Sequence, residues 1–155
     1  MPIKWMSEDE AREFLAARLE GRLATSNQAG EPYITPLNYL VFENRIYLHS
    51  KLKGRKLDNL AENDRVCFEV SETANHIVSC DAPCACATRY SSVLVFGRAR
   101  LLDDGAEKAA VLNRLMARFA AGRSFQAVEE KHAAGCAVIE IAIETISGKR
   151  NVDAE

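Results

Sequence analysis

The sequence predicts an α+β, mainly β fold: six strands in an antiparallel barrel or sheet, with helices packed outside it. Three observations carry this reading. Apolar residues recur at every second position in several runs, as in strands with one buried face. Most of those runs are joined by short turns, which makes sequence neighbours antiparallel. The runs with a helical period are few and read as peripheral to the strands, an α+β pattern.

The elements follow in chain order. Ser7-Glu8-Asp9-Glu10 is a helix start: Ser7 can cap the free amides, Glu10 can answer it, and the acids suit the positive helix end. Ala11, Phe14, Leu15, Ala17 and Leu19 give that helix an apolar side, and Gly21 is its expected stop. Arg22 to Ser26 reads as a strand. Gln28-Ala29-Gly30-Glu31 is a hairpin turn in which Gly30 can take a positive φ. Tyr33 to Phe42 is the second strand. Pro36 lacks a ladder donor and so marks an edge or a bulge. After a turn at Glu43-Asn44-Arg45, Ile46 to Ser50 forms the third strand, and Arg55 to Glu62 has a short helical period. Arg65 to Ser71 sets Val66, Phe68 and Val70 against Cys67 and Glu69, a strand with one buried face. No period runs through Thr73 to Thr88, so a long loop is expected over about residues 72–88. Arg89 to Leu102 is a long strand, apolar on both sides at Val93-Leu94-Val95-Phe96. A helix follows from Ala106 to Ala121, then a short one over Phe125 to His132, and the last strand runs from Cys136 to Ile146.

The chain has 155 residues, which suits one domain over residues 1–155. Its formal net charge of −2 argues against nucleic-acid binding, which wants a broadly basic surface. No run of 18 or more apolar residues points to a membrane span, and the acidic start lacks a secretory signal. Five cysteines at irregular spacing do not suggest a disulfide framework, and a cytoplasmic location is expected.

Against that neutral background, Lys51, Lys53, Arg55 and Lys56 crowd around Gly54. A strand ending in Ser50, a glycine turn and a helix beginning near Arg55 make a good phosphate geometry. The helix start offers free amides and a partial positive charge, Gly54 lets backbone approach an anion, Ser50 can donate a hydroxyl hydrogen bond, and Arg55 and Lys56 bring charge. The other reading of the same residues is a solvated basic loop.

The order GRLATSNQAGEPYITPLNY, then IYLHSKLKGRKLDNL, VCFEV and TRYSSVLVFGRARLL, resembles the pyridoxamine 5′-phosphate oxidase-like flavoproteins, and more narrowly their nitroimidazole-resistance (Nim-type) branch. The resemblance covers roughly residues 6 to 150, and its most specific pieces are Pro36-Leu37-Asn38-Tyr39, His49-Ser50 with Gly54 and Lys56, and Tyr90-Ser91-Ser92-Val93 followed by Gly97. It implies a split β-barrel that forms a homodimer with FMN in clefts between subunits. Ser50, Gly54, Arg55 and Lys56 would hold the ribityl phosphate. Pro36, Leu37, Asn38 and Tyr39 would run beside the isoalloxazine ring, and Tyr90, Ser91 and Ser92 would complete the site. His49 would lie near the flavin pocket, where it could polarise a substrate or move a proton; the plainer alternative is a structural histidine. An FMN-dependent oxidoreductase acting on a small, nitroaromatic-type substrate is the leading expectation. A flavin-storage protein, or a haem or deazaflavin binder on the same barrel, is the competing one. The second phosphate site needed for pyridoxamine phosphate itself would require basic residues beyond Lys149-Arg150, and NVDAE supplies none. No G-x-G-x-x-G motif is present, so NAD(P)H would bind only transiently beside the flavin.

His76, Cys80, Cys84 and Cys86 form the one metal-like cluster, at a spacing that matches no standard zinc site, and no metal is expected. Cys67 and Cys136 fall in strands and read as small core residues. The Val111 to Phe119 stripe reads as packing.

Overall fold

The computed structural model describes residues 3–77 and 88–151. Two local devices set up its first sheet. Gly30 at φ 80° turns the chain between β2 (Glu20–Ser26) and β3 (Pro32–Phe42). Glu43 and Asn44, both at positive φ, make a two-residue turn into β4 (Arg45–Ser50), the backbone that matches the strand twist of a tight hairpin. Helix α2 (Arg55–Glu62) then carries the chain to β5 (Arg65–Ile77), β6 (Thr88–Leu101), α3 (Gly105–Phe119), α4 (Glu130–Ala133) and β7 (Ala137–Asn151). Ahead of these come β1 (Ile3–Trp5) and α1 (Glu8–Ala17), the latter opened by the expected Ser7–Glu10 capping box.

The strand order is β1-β7-β4-β3-β2-β5-β6, and β6 pairs back onto β7. Six antiparallel strands therefore close a barrel, as expected, and β1 adds a seventh strand that hangs on the end of β7 through Ile3↔Asn151 and Trp5↔Lys149. The barrel is split where β3 leaves β4: their ladder stops at Tyr39↔Leu48, although β3 continues beside β2 down to Ser26↔Pro32. Pro36 sits in that open stretch. Tyr39 N donates to Leu19 O on the β2 side. Alternate residues of a strand turn their backbone to opposite neighbours, so the nitrogen of Pro36 faces the unpaired edge, where a missing N–H costs nothing.

Other boundaries differ from the sequence reading. Helix α1 stops at Ala17, and Gly21 lies inside β2, where an added Cβ would meet the Phe68 ring at 2.3 Å. The glycine there is a packing requirement and not a helix stop. β5 runs on to Ile77, so residues 72–77 are strand where a loop was expected; pairing with β6 supplies order that the local sequence does not announce. β7 extends to Asn151 for the same reason, and the expected Phe125–His132 helix shrinks to α4.

The barrel interior is one apolar cluster. Leu23, Tyr39, Leu48, Phe68, Val95 and Ile139 are all 0% exposed, and the rings of Tyr39 and Phe68 meet edge to face with centroids 4.9 Å apart. A second cluster lies outside the barrel wall, where α3 and α4 cover Tyr47 and Val138, with Leu40 and Phe42 packed against them. Within it Glu140 is 3% exposed, yet it is satisfied: Arg45 and Arg100 donate to it at 3.0 and 2.7 Å, and Tyr47 Oη at 3.1 Å. Burial pushes its carboxyl up, but the Arg100 and Tyr47 hydrogen bonds and the two positive charges outweigh that and hold it below the ordinary 4.5. No helix among the described residues is long and apolar enough to cross a membrane.

Candidate functional site

The basic turn keeps its helix end open. Gly54 is the N-cap of α2 at φ 141°, a conformation that side chains resist, and no side chain caps the helix. The first bonds back to it come from Leu57 N and Asp58 N, at 2.8 and 3.2 Å to Gly54 O. The amides of the first turn ahead of them have no intrahelical acceptor and no side-chain cap. A Cβ on Gly54 would meet nothing within 4 Å, so the space over the turn is free. Arg55 leans on the β2–β3 hairpin, 3.4 Å from Glu31 and with its guanidinium 5.3 Å from the Tyr33 ring centre. Lys51 and Lys53 are exposed and Lys56 half-buried. Ser50 hydroxyl donates to Lys51 O at 3.0 Å. A cationic, uncapped helix start beside a hydroxyl can hold a phosphate-sized anion.

Strand alternation distributes the remaining predicted residues. Leu48 points into the barrel and His49 outward, exposed. Asn38 also points outward. The two line a common cavity of about 170 Å³ whose remaining walls are Leu112, Leu115, Met116 and Phe119 of α3, with Val128. The sequence reading assigned the α3 stripe to packing alone; it is packing on one side and a cavity wall on the other. An apolar helical stripe carries no sign of which of its residues will face an empty space.

Pro36 is exposed on the outer face of β3 and Leu37 points into the barrel, packed on its core. Tyr39 lies away from any accessible surface. Its ring is in the core, its hydroxyl donates to Leu15 O, and burial pushes its phenol well above the usual range. On β6, Tyr90 carries Lys149 Nζ 5.8 Å from its ring centre, Ser91 pairs with Arg150, and Ser92 opens onto a separate cavity of about 100 Å³ beside Trp5, Gly148 and Lys149. Within one chain the predicted residues thus form two groups, one at β3, β4 and α2 and one at β6 and β7. Cys67 and Cys136 are free thiols, and burial pushes the Cys67 thiol up. Cys80, Cys84 and Cys86 lie outside the described residues, as does the side chain of His76. Among the described residues no cluster could hold a metal ion.

A closed six-stranded barrel, split beside an uncapped cationic helix start, is the frame that holds the predicted residues. Residues 7–150 match the family model described as pyridoxamine 5′-phosphate oxidase, and the chain belongs to that family. Among curated proteins it is similar to a 5a,11a-dehydrotetracycline/5a,11a-dehydrooxytetracycline reductase of Streptomyces rimosus, 33% identical over 96 residues, which are 59% of this chain and 61% of the reductase. It is also 31% identical over 98 residues to an uncharacterised Rhizobium meliloti protein, over 63% of this chain and 56% of that one. The chain therefore spans about three-fifths of the curated relatives it matches. Among solved structures, the FAD and heme binding protein of Mycobacterium smegmatis superposes with TM-score 0.83 at 22% identity, over 97% of this chain and 77% of that one. A candidate 5-nitroimidazole antibiotic resistance protein of Bacteroides thetaiotaomicron superposes with TM-score 0.79 at 19% identity, over 97% and 89%. At such identities these likenesses establish the split-barrel fold.

Proposed function

We propose that this chain is an FMN-binding oxidoreductase that works as a homodimer on a small organic substrate of the nitroaromatic type. The observation that carries the cofactor is the open α2 start: free amides, a glycine whose conformation leaves space above it, a serine hydroxyl and two adjacent cations. These residues fit a nucleotide phosphate. Arg55, Lys56, Ser50 and the backbone at Gly54 would hold the phosphate, while the open edge of β3 at Pro36 and Asn38 would border the ring. The flavin would supply the electron transfer. The protein's part is to fix the phosphate, shield the ring from water and place His49 beside the substrate, where an imidazole can donate or accept a hydrogen bond. Family membership supports this reading, as does the reductase activity in the Streptomyces relative's name.

The dimer rests on an uncovered row. The register sets Ile34, Ala24, Cys67 and Phe96 side by side on the outer face of β3, β2, β5 and β6. Ile34 is 63% and Phe96 50% exposed. A second copy placed there would bury that row, and Tyr90–Ser92 on the adjoining end of β6 could then complete the partner's flavin site.

The test is a titration of FMN into flavin-free protein, followed by absorbance and fluorescence. Arg55→Ala with Lys56→Ala should weaken binding by about 3–6 kcal/mol, from two charge-assisted contacts of about 1.5–3 kcal/mol each. Unchanged affinity in that double variant would refute the phosphate assignment. Reduction of the yellow protein by NADH or NADPH, then reoxidation by a nitroaromatic, supports turnover; a yellow protein inert to both would be a flavin store.

A further inference from the structure

The cavity between α3 and the barrel differs in chemistry from the basic turn. Leu112, Leu115, Met116 and Phe119 present hydrocarbon and thioether from α3, and Val128 adds more, while the polar atoms come from Asn38 and His49 on the barrel side. Among the described residues no Lys, Arg, Asp or Glu lines it. At about 170 Å³ it is close in size to an engineered apolar cavity of about 150 Å³ that stays dry and takes up benzene.

The wall is held in place. Asn113 of α3 donates to Val128 O at 2.9 Å and accepts from Val128 N at 2.8 Å. Val128 is thereby pinned to the helix, although the preceding residues 121–127 are exposed. Met116, 41% exposed, stands where the space meets solvent. The cavity is thus preformed, accessible and polar at one end. An imidazole and an amide each offer a donor and an acceptor, so that end can hydrogen-bond a neutral polar substituent.

We propose that this cavity binds a single uncharged aromatic ring bearing a polar substituent, with the ring between α3 and Val128 and the substituent toward His49 and Asn38. Naming the occupant as substrate rests on the flavoenzyme reading above; its binding does not, since none of the phosphate-holding residues lines the space.

The experiment titrates the full chain, with and without FMN, by methyl NMR using acetophenone and ethylbenzene. Acetophenone should shift the methyl signals of Met116 and Val128 in the flavin-free protein. Ethylbenzene has the same size but no acceptor and should bind about five-fold more weakly, the worth of one net hydrogen bond. Val128→Phe should abolish binding of both neutral rings, and Met116→Trp, at a position that tolerates bulk in solvent, should do the same without touching the core. His49→Ala with Asn38→Ala should erase the acetophenone advantage and leave ethylbenzene unchanged. Equal affinity of the two neutral rings for the unaltered protein would overturn the polar end, and binding that survives both occluding variants would overturn the cavity. FMN titration of the unaltered protein and of the Met116→Trp variant reads the flavin assignment separately, so either can fail alone.

Discussion

Along β3 the outer face of the barrel changes partners halfway. Leu40 and Phe42 lie under the cluster that α3 and α4 build, beside Tyr47, Val138 and the buried Glu140. A few residues earlier on the same face, Ile34 stands 63% exposed in a row that ends at Phe96. Both stretches put hydrocarbon outward, and among the described residues only one has its cover. The proposed dimer would use this exposed apolar row. The covered half teaches what burial by the chain's own helices looks like; the exposed half is where the proposed second copy would sit. The uncapped α2 start lies near the bare half, tied to its hairpin through Arg55 and Glu31.

The sharpest test of the contrast is Leu115→Ala. Leu115, on the barrel-facing side of α3, is 3% exposed, and its loss should cost about 2–5 kcal/mol in urea unfolding. A cost under about 0.5 kcal/mol would mean that α3 does not pack on the barrel as described.

Glu140 gives a smaller effect with a pH signature. Its carboxyl titrates below the ordinary 4.5 in the fold. Its stabilisation is therefore complete above the unfolded value and is lost as pH falls through the lowered folded one. Glu140→Gln keeps the shape and loses the charge, so it should cost about 1 kcal/mol at pH 7, the gap between charged and neutral hydrogen bonds. It should also flatten the acid limb of the stability profile below pH 4.5. An unchanged acid limb would show that Glu140 does not carry it.

Phe96→Ser should affect the fold least. At 50% exposure its loss should move single-chain stability by no more than about 0.5 kcal/mol. Sedimentation, however, should show the proposed dimer giving way to monomer. If the variant keeps the mass of the unaltered protein, the bare row is not the interface.

Local signals were legible where the physics is local. The Ser7–Glu10 box, the Gly30 turn, the alternation Val66-Phe68-Val70 and the glycine opening α2 each depend on neighbours within a few residues, and each stands in the structure where the sequence puts it. The place of Pro36 at an unpaired edge was likewise open to reading from its missing donor. Other features were not. Three residues of β1 are too few to show a period, and the Ser147-Gly148-Lys149 end of β7 has no alternation; both become strand only because they pair with each other and with β6. Tyr39 looked like part of a ligand motif, and alternation alone could not say which side of the wall it would take.

By itself, then, the chain's order of residues determined the strand and turn pattern, the antiparallel class and the cationic turn, because those rest on side-chain period, φ preference and local charge. Tertiary structure alone decided that β7 closes the ring against β4 and β6, that Tyr39 goes to the core, and that His49 and Asn38 share a cavity with α3. Each of these is a contact between residues far apart in the chain, and such contacts are chosen by the packing of the whole barrel.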